Sequence, residues 1–164
     1  MRYRRARAKG GTFFFTVVTH QRIPLLAGPE NAQLLRLSIK HVMDKHPFKI
    51  DAFVLLPDHL HCIWTLPDGD DNFSTRWRLI KNTFTRQCDV KYKQRPTQSR
   101  FLKKEQMIWQ RRFWEHQIRD DYDFEKHIDY IHYNPVKHGY VDRVCDWPYS
   151  TFHRYVRSGV YPIA

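Results

Sequence analysis

Leu56-Pro57-Asp58-His59-Leu60-His61-Cys62-Ile63-Trp64-Thr65 decides the reading of this chain. Apart from its Pro-Asp turn, the segment has the composition of a β-strand, and strand side chains alternate between two faces. His59, His61, Ile63 and Thr65 therefore share one side, while Leu60, Cys62, Trp64 and Leu66 form an apolar side fit for a core. Two imidazoles projecting from one rigid strand suit a single divalent cation. The plain structural alternative is a pair of half-exposed sheet histidines.

Working outward, Phe48 to Leu56 reads as a strand that joins the histidine strand through the Pro57-Asp58 turn, an antiparallel hairpin. Upstream, Thr12 to Thr19 reads as a first strand. A helix from about Asn31 to Lys45 follows, with Leu34, Leu35, Ile39, Val42 and Met43 as its apolar stripe and Pro47 as its stop. Downstream, Ser74 is the expected cap of a second helix reaching about Val90, with Trp77, Ile80 and Phe84 facing inward. Phe113 to Ile118 reads as a fourth strand. Asp121 or Asp123 opens a third helix that is expected to end near Asn134-Pro135. The order β-α-β-β-α-β-α predicts an α+β protein of the ferredoxin-like, split βαβ kind, an antiparallel sheet with packed helices.

The chain has 164 residues, enough for one domain with a real core, and 41% of them are hydrophobic, which argues against disorder. We expect a single domain over 1–164, with a basic arm at 1–11 and an aromatic and basic tail at 146–164 that folds back. Lys and Arg number 28 against 17 Asp and Glu, a net charge of +11, which points to a polyanionic partner such as nucleic acid. No apolar run is long enough to span a membrane, so no membrane partner is expected. Cys62, Cys88 and Cys145 are odd in number and widely spaced, as in a reduced cytoplasmic protein.

The third helix carries the second chemical group. Phe124, Ile128 and Ile131 make its core stripe, while His127, Tyr130 and Asn134 at i, i+3 and i+7 form a neighbouring face. A phenol one turn from a carboxamide is either ordinary packing or, beside the histidine pair, a nucleophile and a third metal ligand. A metal that polarises a phosphate oxygen while a tyrosine oxygen attacks phosphorus would perform phosphodiester transesterification. Tyr133 is the rival nucleophile, His127 a possible assistant, and His138 a weaker candidate.

Three blocks together, Leu56-Pro57-Asp58-His59-Leu60-His61-Cys62-Ile63-Trp64, Arg112-Phe113-Trp114-Glu115-His116 and Asp129-Tyr130-Ile131-His132-Tyr133-Asn134-Pro135-Val136-Lys137-His138-Gly139, resemble the REP-associated tyrosine transposases. These are domesticated relatives of the single-tyrosine HUH insertion-sequence transposases, and the resemblance covers nearly the whole chain in the same order. It implies an HUH nuclease fold, Mg2+ or Mn2+ as the cofactor, and cleavage of single-stranded REP hairpins bearing a conserved tetranucleotide. Cleavage would leave a 5′-phosphotyrosine on Tyr130 and a free 3′ hydroxyl that permits rejoining. His59 and His61 match the family's histidine pair, and Asn134 stands where relatives place a polar third ligand, commonly glutamine. The resemblance also implies a nucleoid-associated cytoplasmic protein acting as a monomer, with the dimer of insertion-sequence relatives left open.

Candidate DNA contacts are Arg2, Arg4, Arg5, Arg7 and Lys9 in the arm, Arg76, Arg78 and Lys81 on the second helix, the basic loop 91–104, and Arg111, Arg112 and His116. His116 is alternatively an extra ligand or a hydrogen-bonded sheet histidine. Trp109, Phe113 and Tyr149 are candidates for stacking on unpaired bases. Two other functions compete with a transesterase. One is a hairpin-binding regulator without chemistry, and the other a hydrolytic metallonuclease using Asp58 or Glu115 as base.

Overall fold

The computed structural model describes residues 10–93, 98 and 108–161. The arm residues Arg2, Arg4, Arg5, Arg7 and Lys9, and most of the loop 91–104, lie outside them. In chain order the elements are β1 (Thr12–Val18), α1 (Pro29–Lys45), β2 (Lys49–Leu55), β3 (His59–Thr65), α2 (Phe73–Gln87), β4 (Trp114–Gln117), α3 (Asp121–Lys137) and α4 (Phe152–Arg157). The strands form one antiparallel sheet in the order β2-β3-β1-β4, the ferredoxin-like arrangement expected from the element order.

Strand alternation sorts the core into two layers. Phe13, Phe15 and Val17 of β1 join Leu60, Cys62 and Trp64 of β3 under α1 and α2, which contribute Leu35, Ile39, Val42, Trp77, Ile80 and Phe84. The Trp64 and Trp77 rings stack there at 4.2 Å. On the opposite face Phe14, Ala52, Val54 and Ile63 pack against Ile128 and Ile131 of α3 and Tyr155 of α4. With helices on both sides the histidine strand is buried, not half-exposed: His59 and His61 are both in the interior. A bulge between Ile50 and Ala52 in β2 lets these two residues serve opposite layers although they are two apart.

Several boundaries differ from the sequence expectation. Asn72, not Ser74, caps α2, its side chain accepting from Thr75 N at 3.2 Å, and the helix stops at Gln87. Asp89 then caps a separate single turn at Val90–Tyr92, which is why the helical pattern seemed to reach Val90. Asp120 caps α3, and the helix runs through Pro135 to Lys137. Proline removes only one N–H from this last turn. The stop is Gly139, whose positive φ of 76° allows its N–H to bond Val136 O at 2.9 Å. Gly10 is required where the chain enters β1, because a Cβ there would sit 2.1 Å from Pro67 O.

The tail does fold back, onto β2. Leu55 N donates to Tyr149 O and Thr151 N to Phe53 O, each at 2.9 Å, and Trp147 Nε1 donates to Leu55 O at 2.9 Å. His132 of α3 bonds both Thr151 Oγ1 (2.7 Å) and Tyr161 OH (3.0 Å), so the tail is tied to helix and sheet together.

Candidate active site

β3 and its neighbours fix both imidazoles through their Nδ1 atoms. The Asp58 carboxylate can only accept, so His59 Nδ1–H donates to it at 2.6 Å and leaves the Nε2 lone pair for other use. His61 stands opposite Thr16 in the sheet register, and its Nδ1 lies 2.7 Å from Thr16 Oγ1. With Nδ1–H donating there, Nε2 again carries the lone pair. Burial, reinforced by the nearby His59, His138, Lys137 and Arg22 charges, pushes His61 down to about 3. Burial also lowers His59, against the opposing pull of Asp58. Both rings are thus neutral near pH 7, as metal ligation requires.

Asp58 is itself held. Burial would raise its carboxyl, but the hydrogen bonds from His59 and Arg22 keep it below the usual carboxylate range. Arg22 Nη1 reaches Asp58 Oδ2 at 3.2 Å from a turn in which Gln21 and Arg22 both adopt left-handed backbone, φ 52° and 53°. Two non-glycine residues in that region cost about 1–2 kcal/mol each. The chain Arg22–Asp58–His59 has no signature in the sequence.

α3 brings the other groups. Tyr130, Asn134 and His138 follow at spacings of four, one stripe along the helix. The Tyr130 ring lies 5.2 Å from the His61 ring, and the His138 ring lies 5.4 Å from that of His59. Asn134 sits between these two contacts, fully buried, and neither atom of its amide has a hydrogen-bond partner among the described residues. His61 Nε2 is orphaned in the same way. Leaving such groups unsatisfied costs about 1–3 kcal/mol each. With His59 Nε2 they make a donor set, two imidazole nitrogens and a carboxamide, that fits a divalent cation. Tyr130 is 38% exposed, packed by His61, by Phe14 at 6.0 Å and by the Lys137 ammonium 4.9 Å from its ring. Tyr133 is 57% exposed, and no described ring contact joins it to the histidines.

Residues 10–134 match the family of IS200-like transposases. This chain belongs to that family. It is 52% identical over 162 residues to the REP-associated tyrosine transposase of Escherichia coli (strain K12), spanning 98% of this chain and 88% of the relative. A Haemophilus influenzae (strain ATCC 51907 / DSM 11121 / KW20 / Rd) protein assigned to the same group is 46% identical over 160 residues, spanning 98% of this chain and 90% of that one. A solved REP-associated tyrosine transposase bound to a REP hairpin matches with a TM-score of 0.77 and 49% identity, over 99% of this chain and 88% of that chain.

In this IS200-like transposase the remaining candidates divide sharply. Arg76 is buried and uses all five guanidinium donors inside the fold, on His46 O, Pro47 O, Asn72 O and both Asp70 oxygens, at 2.7–3.1 Å. It has no donor left for a phosphate, which corrects its expected place on a DNA track. Lys81 is also buried, in a cavity wall and not on an exposed track, and its Nζ donates to Gln110 O at 3.0 Å. Trp109 is a core residue against Phe84 and is unable to stack on a base. Arg78, Arg111 and Arg112 remain exposed.

His116 is hydrogen-bonded at the edge of the sheet. Its Nε2 lies 2.8 Å from Asp123 Oδ2, and His127 Nδ1 lies 3.2 Å from Asp123 Oδ1. The ligand atoms of this trio all fall within 4.8 Å of one another, a second group able to hold a metal, and the Phe14 ring stands between it and the His61–Tyr130 contact. Sequence reasoning underweighted His138, which the i+4 spacing from Asn134 could have flagged. It assigned no role to Trp114, 65% exposed beside Thr16. Among the described residues no helix is long and apolar enough to cross a membrane.

Proposed function

We propose that this transposase cleaves and rejoins single-stranded REP hairpin DNA, with Tyr130 as the nucleophile. The observation that carries the proposal is the Tyr130 ring packed 5.2 Å from His61, beside buried His61 Nε2 and Asn134 amide atoms that lack partners among the described residues. His59 and His61 would hold Mg2+ or Mn2+ through Nε2, with Asn134 Oδ1 as third ligand. When bound, the ion polarises a phosphate oxygen and offsets the charge that develops in the transition state.

The chain's own residues supply the rest. Tyr130 Oη bonds to phosphorus while the P–O3′ bond breaks, and the leaving 3′ oxygen takes up a proton as the phenol loses one through solvent. The product is a 5′-phosphotyrosine and a free 3′ hydroxyl, with bond energy retained for rejoining. Lys137 is placed to offset negative charge at the reacting phosphate. Thr16 and Asp58 keep each imidazole in the tautomer that presents Nε2.

The hydrolytic alternative needs a free carboxylate base. Asp58 is engaged by His59 and Arg22, and Glu115 is exposed on the edge strand, which supports transesterification instead. The Tyr130 ring packs on His61 of its own chain, so the site needs no residue from a second copy to bring these two groups together. Tyr130→Phe is the test. The variant should bind a REP hairpin with wild-type affinity and form no covalent adduct on a denaturing gel, and an adduct from that variant would refute the assignment.

A further inference from the structure

On the opposite side of the sheet from His61, a cavity of about 580 Å3 opens between α2 and residues 111–113. That is within the usual range for small-ligand sites, roughly 300–1,000 Å3. Trp77, Arg78, Lys81, Arg111 and Phe113 line it, and no carboxylate does among the described residues. Lys81 is buried in its wall, 5.4 Å from the Phe113 ring, and among the described residues its hydrogen-bond partners are backbone carbonyls and no acid pairs with it. The Trp77 indole N–H is buried and unpartnered among the described residues. A buried cation with no acidic partner among the described residues, two exposed arginines and a half-buried aromatic ring line one space.

We propose that this cavity binds one unpaired nucleotide of single-stranded DNA, its base on Phe113 and its phosphate on Arg78, Lys81 and Arg111. An anion would pair with Lys81 and the two arginines, and a base would supply a π-face for Phe113. Duplex DNA hides those faces, so the occupant is a single strand. Burial lowers Lys81 to about 8, and a phosphate beside it would favour the charged form.

Register shows how one strand can reach both sites. Trp114 pairs with Thr16 and Thr16 with His61, so Trp114 and His61 share a row about 10 Å apart, two strand spacings. Phe113 precedes Trp114 and faces the other layer, packed with Phe15 and Trp77. A strand leaving the Tyr130 face can pass exposed Trp114 at the sheet border and turn into the cavity.

The inference rests on the proposed hairpin chemistry for the identity of the strand, and its test is separate. The full chain is titrated with a REP hairpin carrying a short single-stranded flank and with the same hairpin made blunt, and 2-aminopurine is walked through the flank. Wild-type protein should prefer the flanked form, and one flank position should be quenched. Phe113→Leu, and Arg78→Met with Arg111→Met, should each cut the flanked-to-blunt affinity ratio about 10-fold. Binding of the blunt hairpin reports folding, and should Phe113→Leu fail to fold, the arginine pair decides. No preference in the wild type, an unchanged ratio in the folded variants, or no quenched position overturns the proposal. Adduct formation at Tyr130 is scored in parallel. An adduct from the wild type with an unchanged ratio in the variants refutes the cavity alone, and a reduced ratio in the variants when the wild type gives no adduct refutes the strand-transfer reading alone.

Discussion

Replacing Arg76 by Met separates a structural cation from a DNA contact. Met keeps most of the aliphatic volume and deletes the guanidinium, stripping partners from three backbone carbonyls and from Asp70. Each carbonyl left unsatisfied costs about 1 kcal/mol or somewhat more. The Asp70 side chain is one-third exposed, so water recovers much of its loss and it adds about 1 kcal/mol. The sum is about 4 kcal/mol, or roughly a 10 °C fall in Tm for a chain of this size. Urea unfolding followed by tryptophan fluorescence measures the first quantity. Hairpin affinity as a function of salt measures the second, since each lost phosphate contact to a single strand lowers the log–log slope by about 0.7. Arg76→Met should leave that slope unchanged, whereas Arg78→Met should lower it without changing stability. A loss below about 1 kcal/mol, or a reduced slope in Arg76→Met, would refute the structural reading.

Thr16→Val should raise the Mn2+ concentration needed for half-maximal adduct formation about 10- to 100-fold, with Thr16→Ser restoring it, because the hydroxyl orients His61. Gly10→Ala should destabilise the fold by about 2 kcal/mol or more in urea unfolding, since its Cβ meets the Pro67 carbonyl and its φ is +121°. His132 is pushed down to about 3, first by burial and then by the Arg154 and His153 charges. Its contribution is therefore complete above about pH 6.5 and is lost as pH falls from there toward 3, where the unfolded chain binds the extra proton. His132→Gln should make the dependence of stability on pH shallower by up to one proton between pH 6 and 4, and an unaltered slope would show that His132 titrates freely.

Local periodicity made the site's skeleton legible. Alternation alone puts His59 with His61, and helical spacing alone puts Tyr130 one turn from Asn134; both patterns survive whatever packs on them. Alternation in β4 likewise places Trp114 beside His116, although nothing local shows which of the two is exposed. The fates of Arg76 and Lys81 were hidden because His46 O, Pro47 O and Gln110 O, acceptors that hold them inside, come from 29 or 30 residues away. A long cation on an amphipathic helix looks the same in sequence whether it meets water or distant carbonyls. Asn72, Ser74 and Thr75 all have capping side chains, and only the backbone at Asn72 selects among them. The Arg22–Asp58 contact depends on two left-handed residues that carry no glycine to announce them.

The tail strapped along β2 has a bearing on how these molecules meet each other. Its bonds to Phe53 and Leu55 occupy amide and carbonyl groups that a border strand would otherwise offer to a foreign chain. The other border, β4, is four residues long, about 13 Å, and bears Glu115. With one margin covered and the other too brief to template an invader, the protein is guarded against fibrous self-association.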